Sequence, residues 1–209
     1  MKPRYCWLIA GAVAAIACSQ GGSGGAGPGT DSVVQVEDSL TFLQPAPNGP
    51  HFGDDTVSFW AVKGQRREAR LMYRPLAGHS DSVEFARFRV DDRSLVNRPD
   101  GSPLATGDSI LITLTISDST RLIAGFEPAG LLFNPSRPAR LALKYGEADP
   151  DLDHNGVVNA ADTALIATFR IWRQEAPGEP WVSIPSSLSA GALEVEADIY
   201  GFTRYAVAY

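Results

Sequence analysis

The sequence predicts an all-β fold, an antiparallel β-sandwich with one short helix. Three observations carry this. Apolar and polar side chains alternate with a period of two along much of the chain's second half. Turn residues interrupt that alternation at short intervals, with 20 Gly and 15 Pro in 209 residues. One stretch alone, 160–167, has a helix-forming composition with a start signal in front of it. Alternation with one apolar face marks a strand that lies on a core and turns its other face to water.

The first strand candidates are 56–62, 67–73 and 83–90. In 109–118, Ile110, Ile112, Leu114 and Ile116 face one way, and Thr113, Thr115 and Ser117 the other. Segments 121–126 and 130–133 follow. Leu141, Leu143 and Tyr145 then alternate with Ala142 and Lys144. After 168–173 and 181–184, Leu193, Val195, Ala197 and Ile199 alternate with Glu194, Glu196, Asp198 and Tyr200. At the end Tyr205, Val207 and Tyr209 share a face. About ten short strands without a solenoid or propeller repeat make a sandwich. An apolar content of 44% is enough to fill its core.

The first residues predict the compartment. Lys2 and Arg4 precede an apolar run from Trp7 to Ala17, the layout of a signal peptide and too short to span a bilayer. Ala15-Ile16-Ala17-Cys18 resembles the lipobox of bacterial lipoproteins, with Ala15 where Leu is usual. That resemblance implies cleavage after residue 17 and acylation of Cys18, hence a lipid-anchored, extracytoplasmic protein of a bacterial cell envelope. Ser19 rather than Asp after the cysteine implies the outer membrane if the envelope is Gram-negative. Ordinary secretion with a free Cys18 thiol is the alternative. Either way Cys6 is removed, and a single cysteine forms no internal disulfide.

Loss of Lys2 and Arg4 takes the net charge from −6 to −8. A chain this acidic is a poor partner for nucleic acid or for anionic lipid headgroups. Residues 18–54 read as a flexible Gly/Ser/Pro-rich tether, and 55–209 as the sandwich domain. Within the tether, 21–25 and 22–27 match G-x-S-x-G and G-x-G-x-x-G in form only. Neither follows a strand or opens a helix, which both mechanisms require.

Phe126, Pro128, Gly130, Phe133 and Pro135, then Trp181-Val182, then Phe202, Thr203, Tyr205, Ala206 and Val207 form a longer pattern over 105–209. This pattern resembles the ZU-five domain, the β-sandwich module of ankyrins, zonula occludens proteins and netrin receptors. The resemblance implies an immunoglobulin-like, ZU-five-like sandwich with roles in protein–protein contact rather than catalysis. Independently of it, Pro128 and Gly130 suit a sharp turn, and Phe133, Trp181 and Tyr205 are large enough to dominate a small core.

Residues 149–167 interrupt the strands. From Asp151 the pattern D-x-[DN]-x-[DN]-G runs through Asp153, Asn155 and Gly156, the spacing of an EF-hand calcium loop. Asp151, Asp153, Asn155, the Val157 carbonyl, Asn159 and Asp162 are the expected ligands of Ca2+, which takes six to eight hard oxygens. Gly156 makes the sharp turn, and Val158 is the expected apolar plug. Asn159 caps the following helix and Asp162 falls in its first turn. Aspartate at the last ligand position, and a strand where an entering helix would be, resemble the dockerin variant. An Asp/Asn/Gly turn without metal is the alternative. His154 is expected to point outward, and Asp149 to add field only.

Catalytic constellations are weak. His79-Ser80-Asp81 are sequence neighbours in a turn, whereas a triad is assembled in space. Gly107-Asp108-Ser109 resembles a hydrolase block but starts a strand rather than ending one. Arg66, Arg67, Arg70 and Arg74 read as a solvated strand face, or else as a patch for anions. The expected function is therefore a non-enzymatic, calcium-binding, lipid-anchored interaction module with an unidentified protein partner. The alternatives are a glycan or cell-wall binding module using Trp60, Trp172 or Tyr200, and a hydrolase.

Overall fold

The computed structural model describes residues 32–75, 77 and 82–209. The leader, Cys18, the Gly/Ser-rich stretch and His79-Ser80-Asp81 lie outside them.

Twelve strands are present among the described residues: β1 (Val34–Gln35), β2 (Thr56–Val62), β3 (Arg67–Met72), β4 (Glu84–Val90), β5 (Ser109–Asp118), β6 (Ile123–Glu127), β7 (Ala139–Lys144), β8 (Arg170–Gln174), β9 (Trp181–Ser183), β10 (Ser186–Ser189), β11 (Glu194–Ile199) and β12 (Arg204–Ala208). One α-helix, α1 (Ala160–Ile166), lies between β7 and β8. The strands form two sheets, β1-β9-β8-β12-β6-β5-β2 and β10-β11-β7-β4-β3. Each recorded pairing is antiparallel. The sheets pack face to face as a β-sandwich, as the alternation predicts.

The core sits between the sheets. Ile112, Leu114, Leu141, Leu143, Val195, Ala197 and Ile199 are all buried there. Phe88 of β4 meets Phe126, Phe133 and Phe202 at ring-centre distances of 5.3, 6.0 and 5.4 Å. Tyr205 packs edge-on to Phe126, and its hydroxyl donates to the Gly201 carbonyl at 2.6 Å. Gly130 turns the chain with φ +79°, a left-handed geometry that favours glycine.

The outer face of the five-stranded sheet is charged. Arg70 pairs with Glu68 and Glu84, Arg87 with Glu84 and Glu194, Lys144 with Glu194, and Arg140 with Asp198. Arg66 lies near Asp91, Arg67 donates to Gln65, and Arg74 donates to the Gly53 carbonyl. Each of the four arginines of 66–74 thus has a polar neighbour of its own.

Three local expectations are revised. Segment 130–133 forms isolated bridges rather than a strand, with Leu132 opposite Gly201 and Phe133 opposite Leu95. Leu193 lies in the turn before β11, with φ +50° and its side chain exposed. Residues 32–54, expected in the tether, pack onto the sandwich as a strap. Leu43 enters the main core. Phe42 and Leu40 cover the outer face of the seven-stranded sheet, where Ile123, Trp172, Trp181, Ala206 and Ala208 form a second, smaller core.

Polar contacts finish the strap. The Glu37 carboxylate accepts from Arg121, from Trp181 Nε1 at 3.3 Å and from Gln174 Nε2 at 3.2 Å. Arg121 also reaches Asp118 at 2.8 Å and lies over the Phe42 ring. The bond from Arg121 holds the Glu37 carboxyl below its ordinary range, against the effect of burial. Burial pushes the Asp118 carboxyl up, but donors from Thr120 and Arg121 outweigh it and bring it down to about 2.

Two outcomes follow from this strap. Phe42→Ala removes a buried ring and should lower stability by about 3 kcal/mol, read by denaturant melts. A folded carboxyl below its unfolded value of about 4 stabilises the protein above that pH, and the contribution is lost as pH falls toward about 2. The melting temperature should drop over that window, and drop less steeply in Arg121→Met, which takes one donor from each carboxylate.

Candidate metal centre

The acidic loop links the two sheets, leaving β7 of one and returning as β8 of the other. Its entry is fixed by backbone bonds to the strap. Ala46 N–H donates to the Glu147 carbonyl at 3.1 Å, and Asp149 N–H to the Gln44 carbonyl at 2.8 Å. Asp149 itself turns the chain by accepting from Asp151 N–H at 3.1 Å.

Inside the loop, backbone N–H groups converge on carboxylates. Asp151 accepts from Gly156 N–H at 2.8 Å and Asn155 N–H at 3.2 Å. Asp153 accepts from Asn155 N–H at 3.1 Å and from the Asn155 side-chain amide at 2.8 Å. Gly156 takes φ +86°, where a Cβ would be strained. Asn155 accepts from Val157 N–H, and the Asn159 amide donates to the Val157 carbonyl at 2.9 Å.

The loop's exit is a capping box. Asn159 accepts from Ala161 N–H at 2.8 Å, while Asp162 reaches back to Asn159 N–H at 2.7 Å. The other Asp162 oxygen accepts from Leu152 N–H at 2.8 Å and Asp153 N–H at 3.2 Å. Asp162 thus closes the loop on itself and is only 2% exposed. The Asn159 N–H holds its carboxyl below the usual range; burial opposes this, and the Asp153 and Leu152 N–H groups reinforce it.

One carboxylate oxygen from each of Asp151, Asp153 and Asp162 lies within 4.8 Å of the others. Calcium–oxygen bonds of 2.3–2.6 Å span about that distance across one ion. A carboxylate oxygen has two lone pairs, so those of Asp151 and Asp153, and the Asp162 oxygen that accepts only from Asn159, each keep one for a cation. The cluster could therefore hold a metal ion. The structure brings these three expected ligands together and sets Asn155, the Val157 carbonyl and Asn159 in the same hydrogen-bonded ring.

The expected apolar plug is misplaced. Val157 and Val158 are 61% and 59% exposed. Leu152 is buried in the main core instead and anchors the loop, and Leu165 and Ile166 of α1 pack against the same core. Its signal was visible as the one large apolar residue among the aspartates. Tyr209, expected only as part of a strand face, donates its hydroxyl to the Leu152 carbonyl. Burial first, then the charges of Asp162, Asp153, Asp149 and Asp151, push that hydroxyl up to about 12. Tyr209 thus sits within the loop's negative field.

Other singled-out residues lie apart. His154 is exposed with φ +54°. Asp108 accepts from Ala105 N–H and Arg98 in a turn before β5. Trp60 is 60% exposed. Trp172 is buried, contrary to its expected place on the surface, with Nε1 donating to the Ala208 carbonyl. Tyr200 is half-buried. No family model, curated protein or solved structure matches this chain.

The loop's geometry fixes two variants. Asn159→Ala removes the cap and should cost about 1 kcal/mol, with loss of α1 amide protection in hydrogen exchange. Gly156→Ala places a Cβ in left-handed backbone and should cost about 1–2 kcal/mol in the same melts.

Proposed function

We propose that this chain is a non-enzymatic, calcium-binding lipoprotein of a bacterial cell envelope, whose sandwich serves as a protein-interaction module. The observation that carries the metal reading is the convergence of Asp151, Asp153 and Asp162 within 4.8 Å. The donors are oxygens only, which suits a hard cation and disfavours zinc, whose sites draw on His and Cys. A loose ring of carboxylates and carbonyls suits calcium better than magnesium, which demands a tight octahedron and keeps its waters. The spacing supports an EF-hand-like, dockerin-like loop. A single loop of this kind has an expected dissociation constant near 10⁻⁴ M, within reach of extracellular calcium.

The ion's role is structural. Occupancy relieves repulsion among three carboxylates and stiffens the one connection that carries α1 between the sheets. The leader supports an anchored, extracytoplasmic protein. The ZU-five-like pattern supports an interaction module, with its partner a protein.

A second reading, a glycan or cell-wall binding module, is favoured by one observation. Trp60 is exposed opposite Leu111, beside a Ser58–Thr113 hydroxyl pair at 2.8 Å. That strip offers an apolar ring next to hydroxyls. Glycan-array binding lost in Trp60→Ala would establish this reading, and flat binding would remove it.

Thermal melts with excess calcium and with chelator test the metal reading. At 100 times its dissociation constant a ligand adds about 2.7 kcal/mol, which for a chain of this size is roughly 5–10 °C. The shift should be present in the wild type and absent in Asp151→Ala; no shift in either protein refutes the reading. The anchor is tested separately. Cys18→Ser should move the protein from the membrane to the soluble fraction, and unchanged fractionation refutes the lipid.

A further inference from the structure

A groove of about 460 Å³ runs over the outer face of the seven-stranded sheet, between β1 and the start of β8. Trp172 and Ser183 line it, Val33 and Ile184 supply apolar wall, and Arg170 is its cation. Its size falls in the range of small-molecule sites, and apolar walls with a few converging polar groups are the usual lining of such sites. Among the described residues no acidic side chain lines it, although the chain as a whole is acidic.

Arg170 is held rather than loose. Its Nη1 donates to the Phe169 carbonyl at 2.7 Å and to the Ala167 carbonyl at 3.4 Å, just beyond α1. Among the described residues no group accepts from Nε or Nη2, and no carboxylate pairs with Arg170. Most of the arginines on the charged sheet, by contrast, are paired. Two parallel N–H donors on one edge of a guanidinium match the two oxygens of a carboxylate. A single cation also favours a monoanion over a doubly charged phosphate. The Trp172 side of the groove suits a flat apolar body.

We propose that this groove is a binding site for a carboxylate carried on a flat apolar body, with Arg170 as its anchor. The inference does not depend on metal in the acidic loop.

Benzoate and its neutral isostere benzamide are the probes, titrated into ¹⁵N-labelled protein and followed by proton–nitrogen correlation spectra. The Trp172 indole and the Ser183 and Ile184 amides should shift saturably with benzoate, while the Trp60 indole, at the far edge of the sheet, stays still. Benzamide should bind at least about tenfold more weakly, and Arg170→Gln should weaken benzoate by about the same factor. Equal shifts with both probes, shifts spread over arginines across the surface, or benzoate binding unchanged in Arg170→Gln would overturn the proposal. Arg170 would then serve only as the cation at the end of α1. The comparison of the two probes needs no variant, so it stands even if Arg170→Gln does not fold.

Discussion

The contact of Phe88 with Phe126, Phe133 and Phe202 is the interaction on which the rest of the structure depends. Phe88 belongs to the five-stranded sheet and Phe126 to the seven-stranded one, so their rings join the two layers. Phe133 and Phe202 close the cluster from the connecting segments. Each buried aromatic contributes roughly 2–3 kcal/mol of burial, with a further increment from edge-on packing. Strap, loop and helix attach to a frame that this cluster holds at fixed spacing. The Tyr205 hydroxyl bond to Gly201 pins β12 at the same place.

Much of this frame was legible in the residues. Ile110 to Ile116 and Val195 to Ile199 alternate cleanly because one face meets core and the other meets water. The loop was legible for a different reason. Asp151, Gly156, Asn159 and Asp162 are each constrained by a local backbone bond, so their order along the chain is their arrangement in space. The strap was not legible. Apart from the two-residue β1, its residues cover a sheet instead of belonging to one, so they satisfy no period. One clue stood in the final strand, where Ala206 and Ala208 accompany Tyr205 and Val207. A strand apolar on both faces is covered on both faces. Trp172 follows the same logic, since what looked like an exposed aromatic is the floor of the second core.

Val158 illustrates the limit of reading a loop by analogy. Its place in the pattern predicts burial, but burial requires a neighbour to pack against. Here the nearest core is reached from the other side, through Leu152, and the two valines are left in water. The Asp162 carboxylate, by contrast, is fixed by chain-local donors and needs no tertiary partner to be where the pattern puts it. Local hydrogen bonding travels with the sequence; packing does not.

The sheet order has a consequence for self-association. An unpaired strand edge is a template on which a second chain can add, and folded proteins guard such edges. Three of the four outer strands here are guarded. β1 is two residues long, β3 carries Glu68 and Arg70 outward, and β10 is a short run dominated by serine. β2 is different: seven residues, without a single charge, and with Trp60 standing outward. Whatever keeps this protein from aggregating through its sheets has the least to work with along that one border.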